Sequence, residues 1–474
     1  MYENMAIDSE SANKLQYYIP FRFDDNHFTA LNEVLESGTQ APGWTKTAYP
    51  LKDYAGFYDH VLLMMNRWES ENSICSSWKY NGENDYRYVF SAVDGKEISF
   101  SIADLYVHLF RTGIGILGYR LAYAPEEIND AATMIRFQSR VKALSRMDGA
   151  IRPAGEAAGS RKTMCLGQLF ADLLYGIFGE ISFFGVHKKG NAPRVASLFS
   201  YMLYNLPGQD ETTVRRNLKE VSVRMAMGYE EDHTLSEEIV NSCGELASNV
   251  FFYVSQNGCA LSICPNQLNK DHFSGSKARE KYDFTFLFVL YQHYSLLNYH
   301  IRIATDFPSD TCSYMESTDY ADRMQDYLTD IDTFLMKSDI ATVSHIVYHN
   351  LFYQASREAM NINEDIRSLR SGFESLGNIQ QSMRAGDQKK RWHDEQNEQE
   401  ALDLKVNIFA VILAILAFFP EAVNFTGRII QWVTKGPSGF ELTDWISMAL
   451  FVVIVLVVIL LLLSLRKKKA DKGT

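Results

Sequence analysis

Three groups of side chains in this 474-residue chain have types and spacings suited to chemistry. Gly113, Gly115 and Gly118 match G-x-G-x-x-G, a pattern whose glycines let a backbone close on a pyrophosphate at a helix N-terminus. That use needs a helix directly after the motif. Tyr-Arg-Leu-Ala-Tyr follows instead and reads as a strand, where glycine marks a bulge or a close approach. His293 and His300 lie seven apart, and His345 and His349 lie four apart, a spacing that can place two imidazoles on one helix face for a metal. No Glu follows His345 as a metalloprotease would need, so core or surface histidines are the competing reading. The third group is basic. Residues 136–162 hold Arg136, Arg140, Lys142, Arg146, Arg152, Arg161 and Lys162 against Asp148 and Glu156, a net of 7 − 2 = +5. Arginine forks match phosphate oxygens, so Arg136, Arg140, Arg146, Arg152, Arg161 and Lys162 are expected ligand contacts, with a plain basic loop as the alternative. No nucleophile elbow or P-loop occurs, no catalytic residue is predicted, and nothing argues for an enzyme.

Elements to position these groups follow from periodicity. Ile98–Ala124 is rich in β-branched and aromatic residues and predicts two strands around Arg111–Gly113. Residues 126–147 and 164–182, Phe284–Ile301 and Tyr320–Met360 predict helices, the last two long. The expected organisation is a mixed α/β sensor domain over 1–300, then a helical region and long stalk helix over 301–403. Ile362, Ile366, Leu369, Phe373, Leu376, Ile379 and Met383 form the stalk's near-heptad apolar seam.

Composition bounds the classes. A formal charge of −12, from 46 Lys+Arg against 58 Asp+Glu, argues against a generally basic nucleic-acid binder, so no direct nucleic-acid binding is expected. Six cysteines with no C-x-x-C pair argue against a disulfide scaffold and a structural zinc. The apolar residues are concentrated. Ile446–Leu465 contains only two serines outside the apolar set, and Val406–Val423 is apolar except for Asn407, Pro420 and Glu421. These predict transmembrane helices over 404–424 and 445–465, joined by an extracytoplasmic loop over 425–444. The basic tail over 466–474 then places both termini in the cytoplasm of a multi-pass inner-membrane protein. No secretory signal is read in the first residues.

On the first apolar segment Asp403, Asn407, Ala410, Ala414, Ala417 and Glu421 are spaced +4, +3, +4, +3, +4, one face of a helix. Such a stripe suits either pore lining or close packing, and a pore would demand a homo-oligomer. Between Trp392 and Asp403 five acids stand without a Lys or Arg. Glu398 facing Arg466, Lys467, Lys468 and Lys469 is the expected gating collar.

This arrangement resembles the CorA family of divalent-cation channels, which carry Gly-Met-Asn after the first membrane helix. Ala422-Val423-Asn424-Phe425 occupies that place here, and the resemblance implies Asn424 at the pore. The runs FRTGIGILGYRL and FTFLFVLYQHYSLLNYHI look most like the divergent CorA-like effectors of type III CRISPR antiviral systems. The fold implied is an α+β cytosolic domain, a long stalk helix and a two-helix transmembrane hairpin in a CorA-like funnel. A homopentamer in a lipid bilayer is implied with it. Its implied trigger is an adenylate second messenger, SAM-AMP or cyclic oligoadenylate, with a divalent cation as a possible further ligand. The alternatives are a constitutive magnesium transporter and a membrane-anchored sensor without a pore.

Overall fold

The structure is a computed structural model of the chain. It describes residues 2–8, 12–39, 41–47, 55–65, 73–82, 87–91, 97–144, 151–154, 165–186, 188, 190–306 and 318–435, with 442–443, 445–446, 449, 451–453, 455–456 and 459 beyond them. The strands are β1 (Ala6–Ile7), β2 (Lys14–Arg22), β3 (Trp44–Thr47), β4 (Cys75–Tyr80), β5 (Arg87–Ser91), β6 (Glu97–Phe110) and β7 (Ile114–Tyr123). They continue as β8 (Ile151–Pro153), β9 (Ser182–Phe183), β10 (Ser197–Asn205), β11 (Gly244–Ala247), β12 (Val250–Ser255) and β13 (Gly258–Ile263). The helices are α1 (Phe28–Ser37), α2 (Asp59–Met64), α3 (Ala131–Lys142), α4 (Leu166–Phe178), α5 (Glu211–Met227) and α6 (Glu237–Asn241). After them come α7 (Lys270–Phe273), α8 (Ser276–Asp306), α9 (Thr318–Ser338), α10 (Val347–Ala359) and α11 (Ile362–Lys435).

The strands make one 13-stranded mixed sheet whose main path is β11-β12-β13-β10-β2-β7-β6-β4-β3. β10 and β13 run parallel, and the other described pairs are antiparallel. Alternation along the central strands sends side chains to two cores. Leu15, Tyr17, Ile19 and Phe21 of β2 join α1, α3, α4 and α5 on one face. Tyr18 of the same strand joins α8, α9 and α10 on the other. A sheet covered on both faces needs apolar residues on both, and β10 (SLFSYMLYN) is buried from Ser197 to Tyr204. α8 is buried continuously from Tyr282 to Gln292, as expected of a helix apolar all round that crosses a sheet face.

The two strands expected around Arg111–Gly113 are β6 and β7, paired from Phe110↔Ile114 to Phe100↔Tyr123. Gly115 and Gly118 therefore lie inside a strand. A Cβ at Gly115 would fall 2.0 Å from Phe21 Cζ, so the glycine makes room for an aromatic ring and opens no helix. The single helix expected over Tyr320–Met360 is two. It breaks at 339–346, where the Asn350 side-chain oxygen accepts from the backbone N–H groups of Val343 (3.0 Å) and Ser344 (3.2 Å).

The chain divides into two compact units, Met1–Ser375 and Leu376–Thr474. In the first, Ile362, Ile366 and Leu369 bury the start of the expected stalk seam against the α8–α10 core. In the second, α11 runs unbroken to Lys435, and Phe425 stacks on Phe451 at 4.4 Å between centroids.

The expected two-helix transmembrane hairpin is not seen. Among the described residues no helix is long and apolar enough to cross a membrane. About 14 apolar residues precede Pro420, roughly 21 Å of helix against the ~30 Å of a bilayer core. Asn407 and Glu421 interrupt or border that run, and α11 continues through 425–435 where a loop was expected. Most of 445–465, and all of 466–474, lie outside the described residues. The CorA-like funnel, the ion-channel character and the multi-pass inner-membrane placement are corrected accordingly, and the fold is α+β around a large mixed sheet.

Two measurements check this packing. Gly113 turns β6 into β7 at φ +75°, and a Cβ there would stand 2.8 Å from the Phe23 carbonyl oxygen. Gly113→Ala should cost about 1–3 kcal/mol, read from the denaturant midpoint. His108, fully buried on β6 beside Ser77 Oγ at 2.8 Å, is held down to about 4 by burial, with the Asp283 charge opposing and Lys14 adding. The unfolded chain protonates this imidazole first, so its contribution is complete above pH ~6.5 and is lost as pH falls toward 4. Between pH 7 and pH 5 the wild type should lose about 2 kcal/mol more than His108→Gln.

Candidate functional site

β2 ends in Tyr-Tyr-Ile-Pro-Phe-Arg, an apolar stretch closed by a cation at the last position of the strand, Arg22. Two neighbours fix that end. β9 pairs with it at Phe21↔Phe183 and Arg22↔Ser182, and the Phe23 N–H donates to the Gly113 carbonyl at 3.0 Å. The chain then turns through Asp24, whose carboxylate accepts from the Asn26 N–H at 3.2 Å and caps the short 3-10 turn leading into α1. From the opposite core face α8 brings Asn298, which donates to the Thr112 carbonyl at 2.9 Å, and one turn later Arg302. These elements border a cavity of about 650 Å³, with Arg22, Asp24, Asp25, Glu180, Arg302 and Asp306 supplying its charged lining.

The two arginines differ. Arg302 Nη1 donates to Asp25 Oδ2 at 2.6 Å and its Nε donates to the Tyr327 hydroxyl at 2.8 Å. The Tyr327 hydroxyl donates in turn to Asp306 Oδ2 at 2.5 Å. Burial would lower the Arg302 pKa, but Asp25 and Tyr327 outweigh it and the net shift is upward. Arg22 has no ion pair and no side-chain hydrogen bond among the described residues. Its Nε is shut off from solvent, and its guanidinium carbon stands 5.8 Å from the Phe184 ring centre. Burial alone pulls its pKa down. A half-buried guanidinium left without an acceptor is costly and is positioned to receive an anion.

The expected contacts fall elsewhere. Arg136 and Arg140 share α3 and pair with Glu231 (3.6 Å) and Glu230 (2.9 Å), while Arg152 on β8 pairs with Glu97 at 2.8 Å. Arg146, Arg161 and Lys162 lie outside the described residues. On α11, Glu398, Asp403, Ala410 and Asn424 are exposed; Asn407, Ala414, Ala417 and Glu421 belong to the same helix, their side chains outside the described set. Arg466, Lys467, Lys468 and Lys469 of the expected collar are also outside it. His349 is buried, 3.1 Å from Ser344 Oγ and stacked on Phe57, whereas His345 is exposed, so the pair does not converge. Among the described residues no group of three or more His, Cys, Asp or Glu is placed to hold a metal ion.

Sequence reasoning missed Arg22, Asp25, Asn298 and Arg302. A lone arginine closing an apolar strand and running into Asp-Asp-Asn was the one available signal. No family model, curated protein or solved structure matches the chain.

An unpaired, half-buried cation kept for binding burdens the fold. Arg22→Met should therefore hold or raise the denaturant midpoint, by up to about 1 kcal/mol. A loss well beyond that would give Arg22 a structural partner and remove it as an anion contact.

Proposed function

We propose that this chain is a ligand sensor whose cavity at the end of β2 binds a small phosphorylated molecule of the nucleotide class. The observation that carries the reading is Arg22, a guanidinium on the wall of a 650 Å³ cavity with no carboxylate partner among the described residues. Its planar fork suits a phosphate. The rest of the lining is acidic, with Asp24, Asp25, Glu180 and Asp306 beside Arg302. A bare anion meets repulsion there. A nucleotide also carries hydroxyl and amino donors that carboxylates accept, so its two kinds of group answer the two kinds of lining. The adenylate messengers implied by the sequence resemblance, SAM-AMP or a cyclic oligoadenylate, belong to this chemical class, and that resemblance alone supports the antiviral role. Channel and transporter activity are not part of the proposal.

Calorimetric titration of the full chain with ATP, AMP, S-adenosylmethionine and inorganic phosphate tests the reading. Saturable binding of at least one nucleotide, tighter than phosphate and weakened about tenfold or more by Arg22→Ala, is expected; tenfold corresponds to about 1.4 kcal/mol. Binding that survives Arg22→Ala unchanged, or no binding by any of the four, would sink it.

A further inference from the structure

Arg302 touches three parts of the fold at once. It belongs to α8, it pairs with Asp25 in the turn after β2, and it lies over the Tyr327 ring of α9 at 4.6 Å from the centroid. Asp25 is its ion-pair partner and also lines a second cavity, of about 150 Å³, together with Asp330 and Lys337 of α9. Asp330 and Asp326 add negative charge on the α9 side, and burial followed by the Asp25 charge pushes the Asp330 carboxyl up. Asp25 thus stands between a cation that holds it and carboxylates that repel it. Arg302 Nη2, unlike Nη1 and Nε, has no hydrogen-bond partner among the described residues, and Arg302 lines the same cavity as Arg22.

We infer that Arg302 is a latch between the ligand cavity and α9, released when an anion bound at Arg22 competes with Asp25 for the Arg302 guanidinium. This rests on the ligand-binding reading above. The bound phosphate takes the Nη2 donors and draws the guanidinium toward the cavity. Asp25 loses its cation, and the Tyr327 hydroxyl loses the Nε–H donor that it accepts. α9 then keeps its apolar contacts, Ile331, Phe334 and Leu335 in the core, and the Tyr327–Asp306 and Gln292–Ser338 hydrogen bonds, but loses the tie through Arg302 to the turn after β2. The ligand shifts this equilibrium because it binds the released Arg302 better than the paired one.

Hydrogen exchange over 323–338, measured on the full chain, reads the latch, with ATP as the probe and calorimetry on the same samples reporting binding. Asp25→Asn keeps the shape of the turn and removes the ion pair. It should speed exchange in α9 about tenfold without ligand, while 284–291 of α8 stays protected. Saturating ATP should do the same to the wild type and add little to the variant. If Asp25→Asn leaves α9 exchange unchanged, the latch is overturned whatever ATP does. If ATP binds and α9 does not respond, the latch falls while the ligand-binding reading stands. If ATP fails to bind while another nucleotide of the calorimetric series binds, that nucleotide takes its place as the probe; if none binds, the ligand-binding reading falls and the ligand-released latch with it.

Discussion

Asp283 on α8 is buried, and its carboxylate accepts from Lys14 Nζ at 2.5 Å and from the Tyr18 hydroxyl at 2.5 Å, both on β2. A buried carboxylate cannot be left half-satisfied, so this contact fixes where α8 lies along the central strand. At 1.5 Å per residue, the 19 residues from Asp283 to Arg302 carry the helix roughly 28 Å, from the start of β2 to beyond its end. The same rigid rod that seals one sheet face therefore delivers Asn298 and Arg302 to the cavity at Arg22. Packing of Phe286, Phe288 and Tyr291 between those two points keeps the rod in place.

The cavity exists because several chain turns meet where β2 stops. Its neighbour β7 begins at Ile114 after the tight Gly113 turn, and β9 covers only Phe21 and Arg22. Beyond that point the backbone bends away through Asp24–His27, leaving a concave end with charged groups at its rim. Among the described residues Arg302 finds a carboxylate there and Arg22 does not. That asymmetry, rather than net charge, distinguishes the site from the many paired arginines elsewhere. The pairs on α3 and β8 show the contrast, since each described arginine there already faces a glutamate.

Periodicity made much of the sheet domain legible. The β6–β7 hairpin, α3, α4 and the apolar length of α8 follow from local pattern, because alternation and all-round apolarity have no other stable use at those lengths. The break between α9 and α10 was not legible, because it depends on Asn350 reaching back to Val343 and Ser344 in a structure already folded. The reading of 404–424 as a membrane span took apolarity at face value. Its apolar run is short, and α11 carries on past it through polar residues.

The site was the least legible part. Arg22, Asp25 and Arg302 are up to 280 residues apart in sequence and share no motif; a strand end, a turn and a helix must meet before they are neighbours. The described arginines of the basic cluster, Arg136, Arg140 and Arg152, show the opposite case, since charge density is visible in a sequence and the glutamates that pair with them are not. The alternation that builds a two-faced sheet and the burial of α8 are written in local sequence, because these depend on neighbours a few residues away. That Arg302 meets a carboxylate and Arg22, among the described residues, meets none depends on tertiary packing, because pairing is settled by groups hundreds of residues apart that the folded chain brings within 3 Å.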